Sequence, residues 1–195
     1  MGHMSAVDEL KAEHALIRTM MGVFSRMCDL MESGEAVDTE HLDQMLDFIV
    51  VFVDKCHHRK EEEVFFPRVV ALGLREPAVI DAFVYQHDLF KEYISELRAD
   101  VREKGKGGDW PRHRFIEVAR DYISQLTEHS EAEENELFAI AGPSISADEN
   151  DNLADEFERL EREEVGAGEH EMYRELASRL TRMFPPRGAR DVKET

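Results

Sequence analysis

Residues 57–66 read His-His-Arg-Lys-Glu-Glu-Glu-Val-Phe-Phe, and residues 129–138 echo them as His-Ser-Glu-Ala-Glu-Glu-Asn-Glu-Leu-Phe. In each stretch a glutamate follows the first histidine by four residues. The two pairs are His57 with Glu61 and His129 with Glu133. On an α-helix, residues at this spacing lie on one face, a turn apart, so each pair directs an imidazole and a carboxylate the same way. The pattern is typical of half of a metal site.

The two stretches belong to a longer internal repeat. The histidines are 72 residues apart (129 − 57), and so are the glutamates (133 − 61). Upstream, Glu-His-Ala-Leu-Ile-Arg around His14 resembles Gln-His-Asp-Leu-Phe-Lys around His87, 73 residues later (87 − 14). A unit with one histidine on a first helix and His-x-x-x-Glu on the next therefore occurs twice. This indicates a duplicated helical hairpin, and two hairpins predict one four-helix bundle.

Hydrophobic periodicity predicts an all-α protein with four long amphipathic helices in residues 5–140. His14 and His87 each interrupt an otherwise apolar stripe, so we expect both to face the core. Pro67 is expected to bend or end the second helix. Two further helices, about 147–165 and 169–183, predict a C-terminal helical appendage over 141–184, and 185–195 is expected to be a disordered tail.

Composition excludes several classes of function. The 195 residues have a formal net charge of −19 and no basic stripe, so nucleic acid is not an expected partner. No apolar run is long enough to span a membrane, and no signal peptide is visible. Two cysteines, Cys28 and Cys56, do not make a disulfide scaffold. A reducing cytoplasm is the expected location, and Cys56 is interpreted as a buried, inert thiol rather than a redox-active one.

Six side chains are expected to converge in the core, and we interpret them as metal ligands: His14, His57, Glu61, His87, His129 and Glu133. Four imidazoles and two carboxylates are too many for one structural zinc, which takes four ligands. Nitrogen and oxygen donors without thiolate suit two transition-metal ions, which carboxylates can bridge. Iron is the preferred metal, with manganese and zinc as alternatives.

The order His, His-x-x-x-Glu, His, His-x-x-x-Glu, with the tails Glu-Glu-x-x-Phe-Phe-Pro and Glu-Glu-x-x-Leu-Phe, resembles the hemerythrin-like (HHE cation-binding) family, in its bacterial type. The resemblance covers about residues 5–140. It implies an antiparallel up-down four-helix bundle around two iron ions joined by an oxo or hydroxo bridge. By position, it also implies that the four histidines are terminal ligands and that Glu61 and Glu133 bridge the irons.

The sequence departs from the oxygen-carrying hemerythrins at two positions. Those proteins have a second histidine four residues after the one on the third helix, where this chain has Lys91, a cation at neutral pH. Their last carboxylate is an aspartate five residues after its histidine, whereas Glu133 follows by four. One neutral ligand is therefore missing, and an iron position is either open or filled by another group. His58 is the leading candidate, and weaker ones are Glu62, Glu134, His170 and Tyr122.

An open metal position is where a small oxidant can bind and react. The resemblance suggests peroxide turnover, nitric oxide handling or O2 binding, and a catalase-like or nitric oxide-linked redox reaction is the preferred activity. Two alternatives remain. The chain could be a non-catalytic sensor of O2, iron or redox state, whose appendage relays the state of the site, or a structural zinc or manganese bundle. We expect a monomer or a homodimer.

Overall fold

The protein is helical throughout the part of the chain that the computed structural model describes, which is residues 5–106, 110–164, 166 and 168–187. No β-strand occurs among these residues, which agrees with the predicted all-α class. None of the described helices is both long enough and apolar enough to cross a membrane.

Four long helical runs come first, and two of them change from α- to π-helical geometry. The first run is α1 (Ala6–Glu32), and the third is α4 (Pro77–Gly105). The second run consists of α2 (Thr39–Phe48), π1 (Ile49–His58), π2 (Glu61–Phe65) and α3 (Phe66–Ala71). The fourth consists of α5 (Arg112–Glu133), π3 (Glu134–Phe138) and α6 (Ala139–Ser144). Two more helices follow, α7 (Ala147–Glu164) and α8 (Glu169–Met183).

The ends of α1 follow from local chemistry. The side chain of Ser5 caps the helix by accepting a hydrogen bond from the Asp8 backbone N–H at 3.1 Å. Gly34 ends it with a φ of 88°, a left-handed conformation that glycine adopts without steric cost. The sequence pattern therefore fixes where this helix starts and stops.

Pro67 does not end the second helical run, which continues through α3 to Ala71. The π turns of π2 immediately precede it, and Pro67 lies in the first turn of α3. A missing backbone N–H is tolerated at that position, because the donors of a first turn have no partner within their own α-helix. The change of helical geometry is the reason that proline is accommodated here.

The first and fourth helical runs pair in opposite chain directions. Near the start of α1, His14 contacts Glu134, which follows α5, whereas Asp29 near its end pairs with Arg120 in the first half of α5. Helix α5 also packs on α4, and α4 packs on α2.

A polar layer divides the apolar core into two clusters. Ile17, Phe90 and Leu126 belong to the larger cluster, and Leu10 and Phe83 belong to the smaller one. The buried histidines lie between them along the chain, His14 between Leu10 and Ile17 and His87 between Phe83 and Phe90. Apolar side chains on both sides therefore exclude water from this layer.

The two C-terminal helices pack directly against the long helical runs. Helix α7 contacts α1, π1 and π2, with Leu153, Phe157 and Leu160 buried in the smaller cluster. Helix α8 contacts α1 and α2, with Tyr173, Ala177 and Leu180 buried in the larger cluster. Helix α6 ends at Ser144, so the first residues of the predicted appendage continue the fourth run. The expected tail lies outside the described residues from residue 188 onwards.

Candidate metal centre

The six side chains that the sequence predicts as ligands meet in the polar layer, one set from each helical run. All six are at most 2% exposed. Together with His58, they form two groups, and within each group the ligand atoms lie within 4.8 Å of one another. One group is His14, His57, Glu61 and Glu133, and the other is His58, Glu61, His87 and His129. Because Glu61 belongs to both, the two groups adjoin one another.

Glu61 lies between imidazoles on two sides. Its Oε1 atom is 3.4 Å from Nε2 of His57 and 3.9 Å from Nε2 of His14. Its Oε2 atom is 3.7 Å from Nε2 of His87. The two carboxylate oxygens thus face different histidine groups.

Glu133 has a comparable position. Its Oε2 atom is 3.3 Å from Nε2 of His129 and 3.4 Å from Nε2 of His14. Its Oε1 atom is 3.9 Å from Nε2 of His87. Each carboxylate therefore reaches histidines of both groups, which is the geometry that a bridging ligand requires.

Several atoms of the layer are buried without a hydrogen-bond partner. They are both carboxylate oxygens of Glu61, both of Glu133, Nε2 of His14 and Nδ1 of His58. A buried polar atom left unpaired costs about 1–3 kcal/mol, and more when it is charged. Bound cations would satisfy all of these atoms, so the residues present fit a metal centre.

His87 and His129 give a second reason to expect a cation. Their Nε2 atoms are 2.9 Å apart. The Nδ1–H of His87 donates to Glu62 at 2.7 Å, and the Nδ1–H of His129 donates to Gln86 at 2.8 Å. Both Nε2 lone pairs then point at one another, which is unfavourable unless a cation or a proton attracts them.

Burial sets the protonation of the layer. It lowers the pKa of His57 to about 4 and that of His58 well below the usual value, and it also lowers the pKa of His87. Burial and the neighbouring Glu133 carboxylate raise the pKa of Glu61 well above its usual value. Neutral imidazoles are the form that binds metals. Two adjacent buried carboxylates can both be ionised only if positive charge lies near them.

A ring of outer acceptors orients the four predicted histidine ligands. Each donates its Nδ1–H to a side chain of a neighbouring helical run, which leaves Nε2 directed into the layer. The contacts are His57 to Glu13 at 2.8 Å, His87 to Glu62, His129 to Gln86, and His14 to Glu134 at 3.1 Å. Such partners fix the tautomer and the ring orientation of a metal-binding histidine.

Sequence reasoning missed Glu13 and Gln86 in this ring, and it left open whether Glu62 and Glu134 are extra ligands, outer partners of the ligands or surface residues. The signal was present, because every acceptor directly precedes or follows a predicted ligand in the sequence. Glu13 precedes His14, yet it binds His57 on the second run. Spacing along one helix does not reveal such contacts, since the acceptor always serves the neighbouring helix.

The remaining candidates occupy different places. His58 lies in the second group and stacks on His87, with ring centroids 3.8 Å apart and an interplanar angle of 9°. Tyr122 is fully buried behind Phe90, and its hydroxyl has no hydrogen-bond partner among the described residues. His170 is not in either group, because its Nδ1 atom lies 3.2 Å from Glu161 of α7.

The π turns coincide with the site. His57 and His58 end π1, Glu61 begins π2, and π3 begins directly after Glu133. Short π segments inside α-helices occur frequently at functional sites. The α-helical spacing expected from the sequence did not predict them.

A cavity of about 270 Å³ reaches the His58 side of the site between π1 and α4. The apolar side chains that line it are Ile49, Val50, Val53, Phe90 and Ile94. The other lining residues are His58, Tyr122, Asp54, Lys91, Ser95 and Arg98. Lys91, at the position of the missing histidine, is 46% exposed and pairs with Asp88 at 3.0 Å. It therefore lies at the surface beside this cavity and does not reach into the layer as a ligand.

The family comparison agrees with this geometry. Residues 5–141 match the family model described as the hemerythrin HHE cation binding domain. No curated protein and no solved structure matches the chain. The matched residues contain all four helical runs up to the first turn of α6, and with them every histidine and glutamate of the buried layer. The chain therefore belongs to the hemerythrin HHE cation-binding domain family.

Proposed function

We propose that this protein holds two iron ions in the polar layer and reacts there with a small oxidant such as peroxide, nitric oxide or O2. The observation that carries the proposal is the set of unpaired buried carboxylate oxygens on Glu61 and Glu133, which face histidines on two sides. A bound di-iron pair would supply Fe(II)/Fe(III) cycling and a position for the oxidant. Manganese and zinc are the alternative metals.

In this proposal the chain forms an antiparallel up-down four-helix bundle over residues 5–140, with residues 141–184 as a helical appendage. His14 and His57 serve one ion, and His87 and His129 serve the other. Glu61 and Glu133 bridge them. The opposite chain directions of the first and fourth runs and the two adjoining groups support this assignment.

His58 is our proposed substitute for the missing ligand. Its ring lies in the same group as His87 and His129, and its Nδ1 atom has no partner. Changing His58 to Ala tests the assignment through metal content and the optical spectrum of the iron-loaded protein. If neither changes, His58 is not a ligand.

The cavity beside His58 supports reaction with a small molecule. It is apolar, adjoins the second group, and is large enough for a diatomic gas or peroxide. The layer itself is closed off by buried aromatic rings, including Phe138, which stacks on His14 with ring centroids 5.2 Å apart. These rings would exclude bulk water from the bound oxidant.

Peroxide turnover is the experiment that tests the proposed activity. The iron-loaded, air-oxidised protein is mixed with peroxide, and oxygen evolution is measured alongside the optical spectrum. Oxygen evolution that depends on the loaded iron is the expected result. Two irons without turnover would favour the second candidate, a sensor of O2, iron or redox state. A single zinc ion would favour the structural alternative.

We further propose a reducing location such as the cytoplasm and a monomeric or homodimeric state. Cys28 and Cys56 are both free and buried. Burial raises the pKa of the Cys28 thiol to about 12. Both side chains therefore behave as packed thiols rather than as nucleophiles, which supports the interpretation of Cys56 as inert.

A further inference from the structure

Lys60 is buried beside the metal centre although its side chain is charged. It lies between His57 and Glu61 in the chain and is 0% exposed. Its Nζ atom donates to Glu9 at 2.7 Å, to Glu13 at 2.6 Å and also to Glu161. Two of these acceptors lie on α1, and the third lies on α7.

The three carboxylates keep the lysine charged. Burial alone would lower the pKa of Lys60, but the negative charges of Glu13, Glu9 and Glu161 together raise it above its usual value. The ammonium also lies over the ring of Phe157 on α7, 5.5 Å from the centroid. The ammonium interacts with all three carboxylates at once, so a change at one carboxylate alters the interaction of Lys60 with the other two.

One of the three carboxylates leads directly to the metal layer. Glu13 accepts from Lys60 through Oε1 and from the Nδ1–H of His57 through Oε2. It is 1% exposed, so water does not compete for it. The two donors therefore share the negative charge of Glu13.

Another carboxylate leads to the C-terminal helices. Glu161 of α7 accepts from Lys60, lies 3.2 Å from Nδ1 of His170 on α8, and is 3.5 Å from the thiol of Cys56. Lys60, Glu13 and His57 thus connect both C-terminal helices to the centre by a continuous chain of charged contacts.

We propose that Lys60 and Glu161 are positioning residues through which α7 sets the donor strength of His57, so that the C-terminal helices tune the metal centre. The inference rests on His57 being a metal ligand, as proposed above. It gives the appendage a role in the properties of the centre, beyond covering apolar surface.

The direction of the effect follows from charge. Replacing Glu161 with Gln removes one of three negative charges around Lys60, which then interacts more strongly with Glu13. Glu13 becomes a weaker acceptor for His57. A weaker acceptor at Nδ1 lowers the basicity of Nε2, and therefore the affinity of the metal.

The test compares Glu161→Gln with Glu158→Gln in the full chain. Glu158 is also on α7, but it is exposed and pairs with Arg162 within its own helix. Co(II) alone is the probe, because its optical bands report the ligand field and its affinity can be measured by competition with a chelator. Loss of an outer partner of a metal ligand typically costs about 10–100-fold in affinity. Glu161 lies two contacts beyond the outer partner Glu13, so for Glu161→Gln we expect a smaller, several-fold loss.

Two additional readouts separate tuning from a loss of packing. The Co(II) bands should shift in Glu161→Gln but not in Glu158→Gln, and Glu161→Asp, which keeps the carboxylate, should restore most of the affinity. A shift with unchanged helicity supports the inference. Equal affinity in the two Gln variants, or lower affinity with unshifted bands, overturns it. Failure of the unaltered protein to bind Co(II) would instead contradict the proposed metal centre itself.

Discussion

His129 connects three parts of the candidate centre. Its Nδ1–H donates to Gln86, and its Nε2 atom lies 3.3 Å from Glu133 and 2.9 Å from His87. Changing His129 to Ala removes a nitrogen donor and should cost at least one of the bound metal ions. Metal analysis of the purified variant is the measurement.

His113 provides the matched control for that variant. It lies on the same helix, but its side chain is 89% exposed and lies 3.4 Å from Glu117 of the same helix. His113→Ala should retain the full metal content. Full retention in His129→Ala as well would contradict the ligand assignment, provided that circular dichroism shows both variants to be folded.

Glu62 and Glu63 are neighbours in the chain with different expected effects. Glu62 accepts from Nδ1 of His87 at 2.7 Å, whereas Glu63 is 50% exposed and pairs with Arg59. Glu62→Ala should lower metal affinity about 10–100-fold, because the outer hydrogen bond orients the ligand and raises its basicity. Glu63→Ala should leave the affinity almost unchanged.

A chelator competition with both variants measures this difference. Equal affinities would mean that the outer ring does not act on the metal. The pair also bears on a question that sequence alone left open, which was whether Glu62 is a ligand or an outer partner. A ligand role would remove a metal ion, whereas an outer role weakens binding.

At the scale of helices, much of the arrangement could be predicted from sequence. Apolar periodicity with one histidine per stripe predicted that His14 and His87 face the core. The 72-residue repeat predicted that the second and fourth helices carry equivalent His-Glu pairs. Both are regular patterns of α-helical spacing. The bounds of the C-terminal helices were also predicted closely, since G-A-G at 166–168 lies directly between them.

The π turns could not be predicted in the same way. They depend on i→i+5 hydrogen bonds that no residue pattern marks. In π1, both His57 and His58 are buried at the site, although adjacent residues of an α-helix point about 100° apart. Sequence reasoning could therefore suggest His58 as a ligand but had no geometric reason to place it in the layer.

The cavity between π1 and α4 makes a prediction about access to the site. Ser95 is an exposed residue that lines it, so Ser95→Trp should narrow the cavity. We expect azide to bind several-fold more slowly to the iron-loaded, air-oxidised variant, with metal content unchanged. Stopped-flow absorbance measures the rate.

Ser124→Trp is the control for this substitution. Ser124 is exposed on α5, where it donates to Glu128, and it does not line the cavity. Its variant should bind azide at the unaltered rate. If Ser95→Trp also binds azide at the unaltered rate, small molecules reach the centre by another route.

For the whole molecule, the metal centre should contribute to stability as well as to chemistry. Without metal, Glu61 and Glu133 place two carboxylates together in a buried layer. A ligand at about 100 times its Kd stabilises the folded state by about 2.7 kcal/mol. For a chain of this size that corresponds to a rise of roughly 5–10 °C in the unfolding temperature. Chelation should lower the unfolding temperature by a similar amount, as followed by circular dichroism.

Glu61→Gln tests whether repulsion between the two buried carboxylates destabilises the metal-free protein. The substitution keeps the size of the side chain but removes a carboxyl group whose ionisation is opposed by burial and by Glu133, as its raised pKa shows. At neutral pH the metal-free variant should therefore unfold at a higher temperature than the metal-free unaltered protein. The same variant should gain less stability from metal, because a bridging oxygen is lost. A metal-free variant that is less stable would contradict repulsion between the carboxylates as the cause.

The number of metal ions bound per chain is the most direct test of the proposed di-iron centre. The protein is reconstituted with Fe(II), exposed to air and freed of unbound metal, and its iron content is measured together with the optical spectrum. We expect about two irons per chain, with charge-transfer bands of the kind that oxo-bridged ferric pairs produce. One metal ion per chain, or none, would contradict a centre in which Glu61 and Glu133 bridge two ions.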